Sequence, residues 1–247
     1  MTLLTAPLAR VDEASPRSRL FAIDISSCTF DYLAGQAVMM GPHGAGVRRP
    51  FSIACSPERA AETRTLELLI AMEGGSEDLR WAGAGTLVDV EGPLGTFTFP
   101  ASLDQSRVLF VAGGTGIAPV RAMLDHALRR HPAETISLLY STRRSDEFAF
   151  VEELRAHEQA GRLELHQTVT RDDSTSWDGK RGRIGRSHFE AVLHEPDKTI
   201  CFVCGPSSLV NESAATLREL GVPAEQIRTE GWGKADLNVG PYGMTKG

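Results

Sequence analysis

The first half of the chain carries short apolar and alternating runs. Between residues 20 and 99 these runs are separated by glycine, proline and serine, and they read LFAIDI, AVMMG, RPFSIAC, TLELLIAM, TLVDVEG and GTFTF. Several short strand patterns with turn residues between them are typical of an all-β domain. The pattern therefore predicts a small antiparallel β-barrel or β-sandwich.

The second half alternates between strand patterns and helix patterns. The strand patterns read RVLFVA, TISLLYS, LELHQTV and TICFVCG, and the helix patterns read APVRAMLDHALRRH, EFAFVEELRAHEQA and PSSLVNESAATLRELG. This alternation predicts a parallel sheet covered by helices. A polar connector at residues 100–106 leads us to predict domains over residues 1–103 and 104–247, with a loosely held glycine-rich tail from residue 234.

Composition narrows the class of protein. The chain has 247 residues, of which 41% are hydrophobic and 23% charged, as in ordinary globular proteins. It contains no apolar run of the roughly 18 residues that a membrane span needs, and its start lacks the basic-then-apolar layout of a secretory signal. The net charge of −6 argues against nucleic-acid binding. We therefore expect a cytoplasmic protein with no membrane span and no nucleic-acid partner.

The cysteines do not form a ligand set in the sequence. Cys201 and Cys204 have the spacing of a metal or redox pair, but they lie in the strand pattern TICFVCG, where their side chains would point to opposite faces. Cys28 and Cys55 are isolated. A zinc or iron–sulfur site needs further ligands at suitable spacing, so the sequence predicts buried thiols and no metal.

A glycine-rich turn joins the first strand of the second half to a helix. In VLFVAGGTGIAPVRAML, Gly113, Gly114 and Gly116 precede the helix, where backbone N–H groups and the helix dipole favour an anion such as phosphate. Pro119 occupies the place of the third glycine in the strict dinucleotide fingerprint. By itself, the turn is equally consistent with a simple chain reversal.

Two further stretches change this balance. One precedes the glycine turn and reads RRPFSIACSP at residues 48–57, and the other follows it and reads CFVCGPSSLV at residues 201–210. The three segments, in this order, resemble the motifs of the ferredoxin-NADP reductase superfamily. The resemblance extends from about residue 20 to residue 232. It implies two domains, an N-terminal antiparallel flavin-binding β-barrel and a C-terminal, Rossmann-like α/β parallel sheet that binds nicotinamide. It also implies an NAD(P)H-dependent flavoprotein reductase.

The resemblance assigns the flavin to residues of the first domain. Arg49 would pair with the flavin pyrophosphate, Phe51 would lie against the isoalloxazine in place of the usual tyrosine, and Ser52 would hydrogen-bond near flavin N5. The full strand motif is Arg49, Pro50, Phe51 and Ser52. A strand with one exposed arginine and a core phenylalanine is the alternative interpretation.

A second anion grip is implied later in the same domain. Gly74, Gly75 and Ser76 precede a short helix pattern, with Ser76 as a suitable N-cap. An ordinary capped helix also explains these residues. A second grip suits a diphosphate, so we expect FAD as the cofactor in preference to FMN.

The resemblance assigns the nicotinamide dinucleotide to the second domain. The pyrophosphate would lie near Gly114, Thr115 and Gly116, and the nicotinamide ring near Cys204, Gly205 and Pro206. The sulfur of Cys204 would provide a polarizable surface beside the ring and would not act as a nucleophile.

Cations after two strands bear on the choice of nicotinamide. Arg143 follows one strand and the pair Thr170 and Arg171 follows the next, resembling the pattern that binds the 2′-phosphate of NADPH. Nearby residues complicate this interpretation: Arg144, which we interpret as solvated surface, the cations Lys180 and Arg181, and the acids Asp146, Asp172 and Asp173. We expect NADPH, with NADH the less favoured donor.

The segment RTEGWG, at residues 228–233, is predicted to follow the last strand. By resemblance, Glu230 would relay protons to Ser52 and Trp232 would cover the flavin, although Tyr242 is an alternative covering ring. The catalytic set is thus predicted to be Ser52, Cys204 and Glu230.

The electron acceptor is the least determined part of the function. A ferredoxin or Rieske-type iron–sulfur protein is expected, because the chain lacks cluster ligands of its own. Free flavin, a ferric chelate or a quinone is an alternative acceptor. The chain could also be a non-catalytic flavin-binding electron-transfer subunit. We expect a monomer.

Overall fold

The computed structural model describes residues 2–73 and 79–232. In these ranges, twelve strands form two six-stranded sheets, the first antiparallel and the second parallel. The structure confirms the predicted fold class, an antiparallel β-barrel followed by an α/β parallel sheet. Among the helices of these ranges, none has both the length and the apolar composition that crossing a membrane requires.

The first sheet is a nearly closed barrel with strand order β4-β3-β6-β1-β2-β5. Its strands are β1 (Thr2–Ser15), β2 (Ser18–Asp24), β3 (Ala37–Pro42), β4 (Arg49–Ser52), β5 (Thr65–Ala71) and β6 (Leu87–Leu94). The end of β4 approaches β5 through an isolated bridge between Ile53 and Leu68, and Ala54 N donates to Glu67 O at 2.7 Å. These bonds bring the two edges of the sheet together.

Alternation along the strands fills the barrel interior. In β6, Val88, Val90 and Gly92 are buried while their neighbours are half-buried or exposed, as expected when successive side chains face opposite sides. The interior cluster includes Leu8, Phe21, Ile23, Val38, Met40, Ile53, Leu66, Leu68 and Ile70.

Three local elements differ from the sequence prediction. Strand β1 lies ahead of the first predicted run, and most of its residues are at least partly exposed, so its apolar pattern is weak. The run GTFTF is not a strand, although Phe97 and Phe99 are buried in the core shared with the second domain. Residues Pro57–Thr63 form an unpredicted helix, α1, whose N-cap Ser56 accepts Arg59 N at 3.1 Å.

The second sheet has strand order β10-β9-β8-β7-β11-β12. Its strands are β7 (Arg107–Gly113), β8 (Thr135–Thr142), β9 (Glu164–Val169), β10 (Lys180–Arg181), β11 (Thr199–Pro206) and β12 (Ile227–Trp232). Helices α2 (Ile117–Arg130), α3 (Val151–Gln159), α4 (Arg186–Val192) and α5 (Ser207–Glu219) connect them. The prediction that RTEGWG follows the last strand is wrong, because residues 227–232 pair in parallel with β11 as a strand themselves.

The order of this sheet reverses at β7. The chain moves from β7 to β8 on one side and returns to place β11 on the other side. In open parallel sheets, the carboxyl ends of the strands at such a reversal form a crevice for ligands. Here that crevice lies between the turn after β7 and the end of β11.

Candidate active site

A cavity of about 430 Å³ opens at the carboxyl edge of the parallel sheet. Both halves of the chain line it. The barrel contributes Ser15, Arg17, Ser18, Leu69, Ala71 and Glu73. The α/β half contributes the turn at residues 113–116, the end of β8 at residues 140–143, Thr170, Arg171, Arg183 and the end of β11. Its size falls in the range of small-molecule sites.

The glycine turn is packed directly against the end of β11. A Cβ added to Gly116 would lie 2.4 Å from Cys204 O, and one added to Gly113 would lie 2.5 Å from Leu209 Cδ2. Gly114 differs, because it has a φ of +55° and a Cβ there would meet nothing within 4 Å. The backbone of β11 thus leaves no room for a side chain at Gly116, Gly113 packs against the side chains of Leu209 and Pro206, and Gly114 leaves bare backbone facing the cavity.

This turn fits a phosphate group. Gly114 and Thr115 are exposed in a 3-10 turn that leads into α2, whose first N–H groups and dipole favour negative charge. Gly114 lines the cavity, and the space beside its Cα is open. These features meet the requirements of a dinucleotide pyrophosphate at the sheet edge.

Ser52, Cys204 and Glu230 are brought together from three strands. Cys204 and Glu230 are register partners in β11 and β12, and the Cys204 thiol donates to Glu230 Oε2 at 3.9 Å. The hydroxyl of Ser52, at the end of β4, hydrogen-bonds to the same carboxylate. The cluster therefore joins the barrel to the crevice of the parallel sheet, and the next residue, Gly205, lines the cavity.

The carboxyl group of this cluster has an unusual acidity. Burial raises the pKa of Glu230 to about 7, and the hydrogen bonds from Cys204 and Ser52 only partly oppose this effect. A carboxyl group with a pKa near neutrality can both take up and release a proton at physiological pH. Glu230 thus has the chemistry of an acid or base placed between the two halves of the molecule.

The remaining predicted flavin residues lie on β4 or outside the described ranges. Arg49 and Phe51 are half-buried and stand opposite Met40 and Val38 of β3, with Pro50 between them. Phe51 packs against the barrel core. The predicted residues Gly74, Gly75, Ser76 and Tyr242 lie outside the described residues. The backbone of Trp232 ends β12, but its side chain is likewise outside the description.

The cations predicted for the 2′-phosphate lie together. Arg143, Thr170 and Arg171 all line the cavity. The two loops that carry them are joined, because Arg171 N donates to Arg143 O at 2.8 Å and Thr170 Oγ1 donates to Thr142 O at 3.3 Å. The carboxyl ends of β8 and β9 therefore present positive charge to one side of the cavity.

The acids Asp146, Asp172 and Asp173 do not line this cavity, although Glu73, Glu147 and Glu212 do. Asp172 accepts Ser145 N at 2.7 Å and Ser174 N at 2.9 Å, and these bonds lower the pKa of its buried carboxyl. Asp146 pairs with Arg144 at 3.3 Å on the surface. Asp146 is thus engaged within its own loop, and Asp172 links its loop to the loop after β8.

Arg181 also has a structural role. Its guanidinium donates to three backbone carbonyls, those of Asp172, Ser174 and Trp177. It holds the loop between β9 and β10 and is not among the residues that line the cavity. Lys180 is likewise absent from the cavity lining, so neither of these two cations contributes to the wall.

Two cavity cations were missed in the sequence. Arg183 belongs to the basic run KRGR, follows β10 by two residues and lines the cavity. Arg17 comes from the turn between β1 and β2 and pairs with Glu73 at 2.5 Å and Glu147 at 3.5 Å. The basic run could have suggested Arg183, but nothing local to Arg17 indicates that the barrel reaches this cavity.

The cysteines of β11 lie on opposite faces, as the spacing predicts. Cys201 packs in the core cluster with Val203, whereas Cys204 packs in the other cluster with Phe202. In the described ranges, no group of three or more histidine, cysteine, aspartate or glutamate side chains could hold a metal ion.

Comparison with known sequences identifies relatives along most of the chain. The family described as "Oxidoreductase NAD-binding domain" matches residues 110–214. Ferredoxin--NADP reductase B of Sorangium cellulosum is 32% identical over 214 residues, which cover 81% of this chain and 85% of that protein. Oxidoreductase NAD-binding domain-containing protein 1 of Danio rerio is 26% identical over 94% of this chain and 93% of its own length.

Solved structures share the fold. A ferredoxin NADP+ reductase of Neisseria gonorrhoeae, with bound FAD and NADP, superposes with a TM-score of 0.78 at 21% identity and covers 94% of this chain and 99% of that one. A cytochrome P450 reductase of Amycolatopsis gives a TM-score of 0.80 at 21% identity over 93% of this chain and 70% of that one. With the sequence relatives and the crevice between its two lobes, the chain belongs to the ferredoxin-NADP reductase superfamily and is an NAD(P)H-dependent flavoprotein oxidoreductase that binds FAD and NAD(P).

Proposed function

We propose that the protein oxidises NADPH through bound FAD and passes the electrons to a separate one-electron acceptor, a ferredoxin or a Rieske-type iron–sulfur protein. The observation that carries this proposal is the meeting of Ser52, Cys204 and Glu230 beside a cavity whose wall includes the glycine turn, Arg143 and Arg171. When bound, the flavin supplies hydride acceptance from nicotinamide and one-electron transfer to the acceptor.

The barrel residues have the chemistry to hold the flavin. Arg49 offers a planar donor fork for pyrophosphate, and Phe51 offers an apolar face to the ring system. The assignment of a second pyrophosphate-binding segment to Gly74, Gly75 and Ser76 stays a prediction. Trp232 stays a prediction for the ring that covers the flavin.

The crevice residues position the nicotinamide and handle a proton. Gly114, Thr115 and Gly116 give backbone N–H groups to the pyrophosphate, and Gly205 and Pro206 form the floor beside the ring. The sulfur of Cys204 fixes the ring's distance from the barrel. The Ser52 hydroxyl and the Glu230 carboxylate form a path along which a proton can leave the crevice.

The preference for NADPH rests on the charges of the cavity wall. Arg143, Thr170, Arg171 and Arg183 all line the cavity, whereas Asp146 and Asp172 do not. Glu147 and Glu212 also line it, and Glu212 pairs with Arg183 at 3.6 Å, which leaves Arg143 and Arg171 as the main cations for a phosphate. Guanidinium groups bind phosphate with paired, charge-assisted hydrogen bonds. A 2′-phosphate therefore finds partners here, while an unphosphorylated ribose gains little.

The choice of acceptor is supported by the relatives. The chain resembles a protein named ferredoxin--NADP reductase B, and over 58% of its length it resembles the electron transfer component of a xylene/toluene monooxygenase, of which it covers 41%. Both names describe transfer to a separate redox partner.

An anaerobic titration of the purified yellow protein tests the proposal. We expect NADPH to bleach the flavin at stoichiometric amounts, and NADH to do so only at a far higher concentration. A protein that stays colourless with excess FAD, or a flavin that NADPH does not bleach, would contradict the proposal.

Turnover assays then separate the acceptors. We expect faster reduction of an iron–sulfur protein than of free flavin, a ferric chelate or a quinone at equal concentration. The reverse order would assign the protein to the small-acceptor reductases. Bleaching without steady NADPH oxidation would indicate a non-catalytic subunit.

A further inference from the structure

Tyr140 connects two walls of the cavity through one hydroxyl group. Its side chain lies at the end of β8, is almost fully buried, and packs edge-on against Phe148 with ring centroids 5.0 Å apart. The hydroxyl donates to Gly114 O at 3.3 Å and accepts Ala149 N at 3.2 Å. One wall is thus the glycine turn, and the other is the loop between β8 and α3.

The loop on the second wall carries charged cavity residues. Arg143 and Glu147 precede Ala149 in this loop, and Arg143 N donates to Glu147 Oε2 at 3.3 Å. Because Ala149 N–H is fixed by the phenol, the loop is anchored at its far end. The same hydroxyl therefore sets the position of the glycine turn relative to the loop.

The bond to Gly114 also fixes the orientation of one peptide unit. In a trans peptide, the C=O and the N–H of the next residue point in opposite directions, and the Gly114–Thr115 peptide is trans. The Gly114 carbonyl is held by the buried phenol and by Ile117 N–H. The Thr115 N–H therefore points away from the core, on the side where Gly114 and Thr115 are exposed.

We infer that Tyr140 is a positioning residue for the dinucleotide, whose hydroxyl orients the Thr115 N–H toward the pyrophosphate and aligns the two cavity walls. Glycine has no side chain to restrict its peptide orientation, and the φ of +55° at Gly114 is one of several values open to it. Without the phenol, only the Ile117 N–H restrains the Gly114 carbonyl, so the peptide orientation is less fixed and the Thr115 N–H is aimed less well. Tyr140 itself does not touch the reacting atoms.

This inference rests on the proposed assignment of the glycine turn to the pyrophosphate. The pyrophosphate is common to NADPH and NADH, so loss of the hydroxyl should weaken both to the same extent. Loss of a 2′-phosphate cation should instead weaken NADPH alone. The two kinds of residue are therefore distinguishable by the ratio of the two Michaelis constants.

The test is Tyr140→Phe in the FAD-loaded full chain, since phenylalanine keeps the ring that packs on Phe148. The matched control is Tyr32→Phe, because Tyr32 is also buried and its hydroxyl donates to a backbone carbonyl, Cys55 O, at 2.9 Å. Tyr32 is not among the residues that line the cavity. Both variants lose one buried hydroxyl, so they should lose comparable thermal stability.

For Tyr140→Phe, we expect three constants to rise about three- to tenfold, because the loss of one hydrogen bond has an effect of this size. They are the KM for NADPH, the KM for NADH and the Kd for NADP+ measured by difference spectroscopy. The kcat should stay within about twofold and the FAD content should not change. Tyr32→Phe should leave all three constants unchanged. Equal constants in wild type and Tyr140→Phe, equal increases in both variants, or an increase for NADPH alone would overturn the inference.

NADP+ binding by the wild-type protein distinguishes failure of the Tyr140 role from failure of the proposed function on which it rests. If wild-type protein binds NADP+ and Tyr140→Phe binds it equally well, only the positioning role fails. If wild-type protein neither binds NADP+ nor oxidises NADPH, the proposed function fails, and the positioning role fails with it.

Discussion

At the residue scale, one carboxyl group, that of Glu230, has the acid–base properties that proton transfer in the crevice requires. Glu230 is half-buried at the crevice, with the Cys204 thiol and the Ser52 hydroxyl as its hydrogen-bond donors. Burial disfavours the charged form, which places its pKa at about 7. The protonation state of this residue therefore changes within the physiological pH range.

The first prediction concerns the pH dependence of acceptor reduction. A protonated Glu230 cannot take up the proton that leaves the crevice, so the rate should fall as the pH decreases through about 7. Glu230→Gln keeps the size of the side chain and removes the titrating group. We expect it to lower kcat by about 100-fold and to flatten the profile between pH 6 and 8, values typical of lost general acid–base catalysis. A Glu230→Gln profile that keeps the wild-type inflection would contradict this role.

The second prediction concerns the 2′-phosphate. Arg171→Ala removes a cation from the cavity wall and should raise the KM for NADPH about tenfold or more, the value of a charge-assisted hydrogen bond, while leaving the KM for NADH nearly unchanged. Arg144→Ala is the control, because Arg144 pairs with Asp146 and does not line the cavity. Steady-state kinetics with both donors would measure the ratio of the KM for NADPH to the KM for NADH in each variant. Equal effects of the two substitutions would refute the assignment.

At the element scale, the site depends on how closely the turn after β7 packs on the end of β11. The Cβ that Gly116 lacks would lie 2.4 Å from Cys204 O and 2.7 Å from Cys204 C, both backbone atoms that cannot move aside. The close approach places the start of α2 directly beside Cys204. The glycine turn and the nicotinamide crevice are thus one packed unit.

The third prediction tests this packing. Gly116→Ala should force the turn away from β11, lower the unfolding free energy by roughly 1–3 kcal/mol and weaken NADP+ binding. Gly161→Ala is the control, because Gly161 has a φ of +67° in open space after α3 and should cost about 1 kcal/mol without affecting NADP+. Urea unfolding and NADP+ titration would measure both effects. Wild-type affinity in Gly116→Ala would show that the contact is dispensable.

At the scale of the whole molecule, buried charges fix the two lobes relative to each other. Arg121 of α2 is 4% exposed and donates to Ala54 O at 2.8 Å and to Glu67 Oε2 at 2.7 Å, both from the barrel. It also pairs with Glu153 of α3 at 2.8 Å and lies 4.2 Å from the ring centroid of Phe150. These contacts help to hold Ser52 near Cys204.

The fourth prediction follows from this interface. Arg121→Met leaves the buried carboxylate of Glu67 with Arg10 as its remaining ion-pair partner among the described residues. Removing one member of a buried ion pair costs about 3 kcal/mol or more. We expect lower stability and a lower kcat as the lobes lose alignment. Arg186→Met breaks the exposed pair with Glu219 and should cost no more than about 1 kcal/mol. Denaturant unfolding would measure the unfolding free energy of both variants. Equal losses of unfolding free energy would contradict the role of Arg121 at the interface.

Local patterns predicted most of the elements. Runs such as TISLLYS and APVRAMLDHALRRH show their periodicity within one window, so β8 and α2 followed directly. Strand β1 was missed because it is largely exposed and lacks a clear alternation. Strand β12 was taken as a tail after the sheet because RTEGWG has few apolar residues, and only its pairing with β11 makes it a strand.

The residue order alone was enough to predict the kinds of element, the family motifs and the residue types of the site, because each of these depends on a short stretch of chain. The packing of the whole chain decides that Asp172 accepts from Ser145 N in the loop after β8 and that Arg17 reaches the cavity from the barrel. It also produces the contact between Ser52 and Glu230, which only the family resemblance implied. Each of these contacts joins segments far apart in the chain. Their proximity depends on how the two sheets pack, which no local pattern specifies.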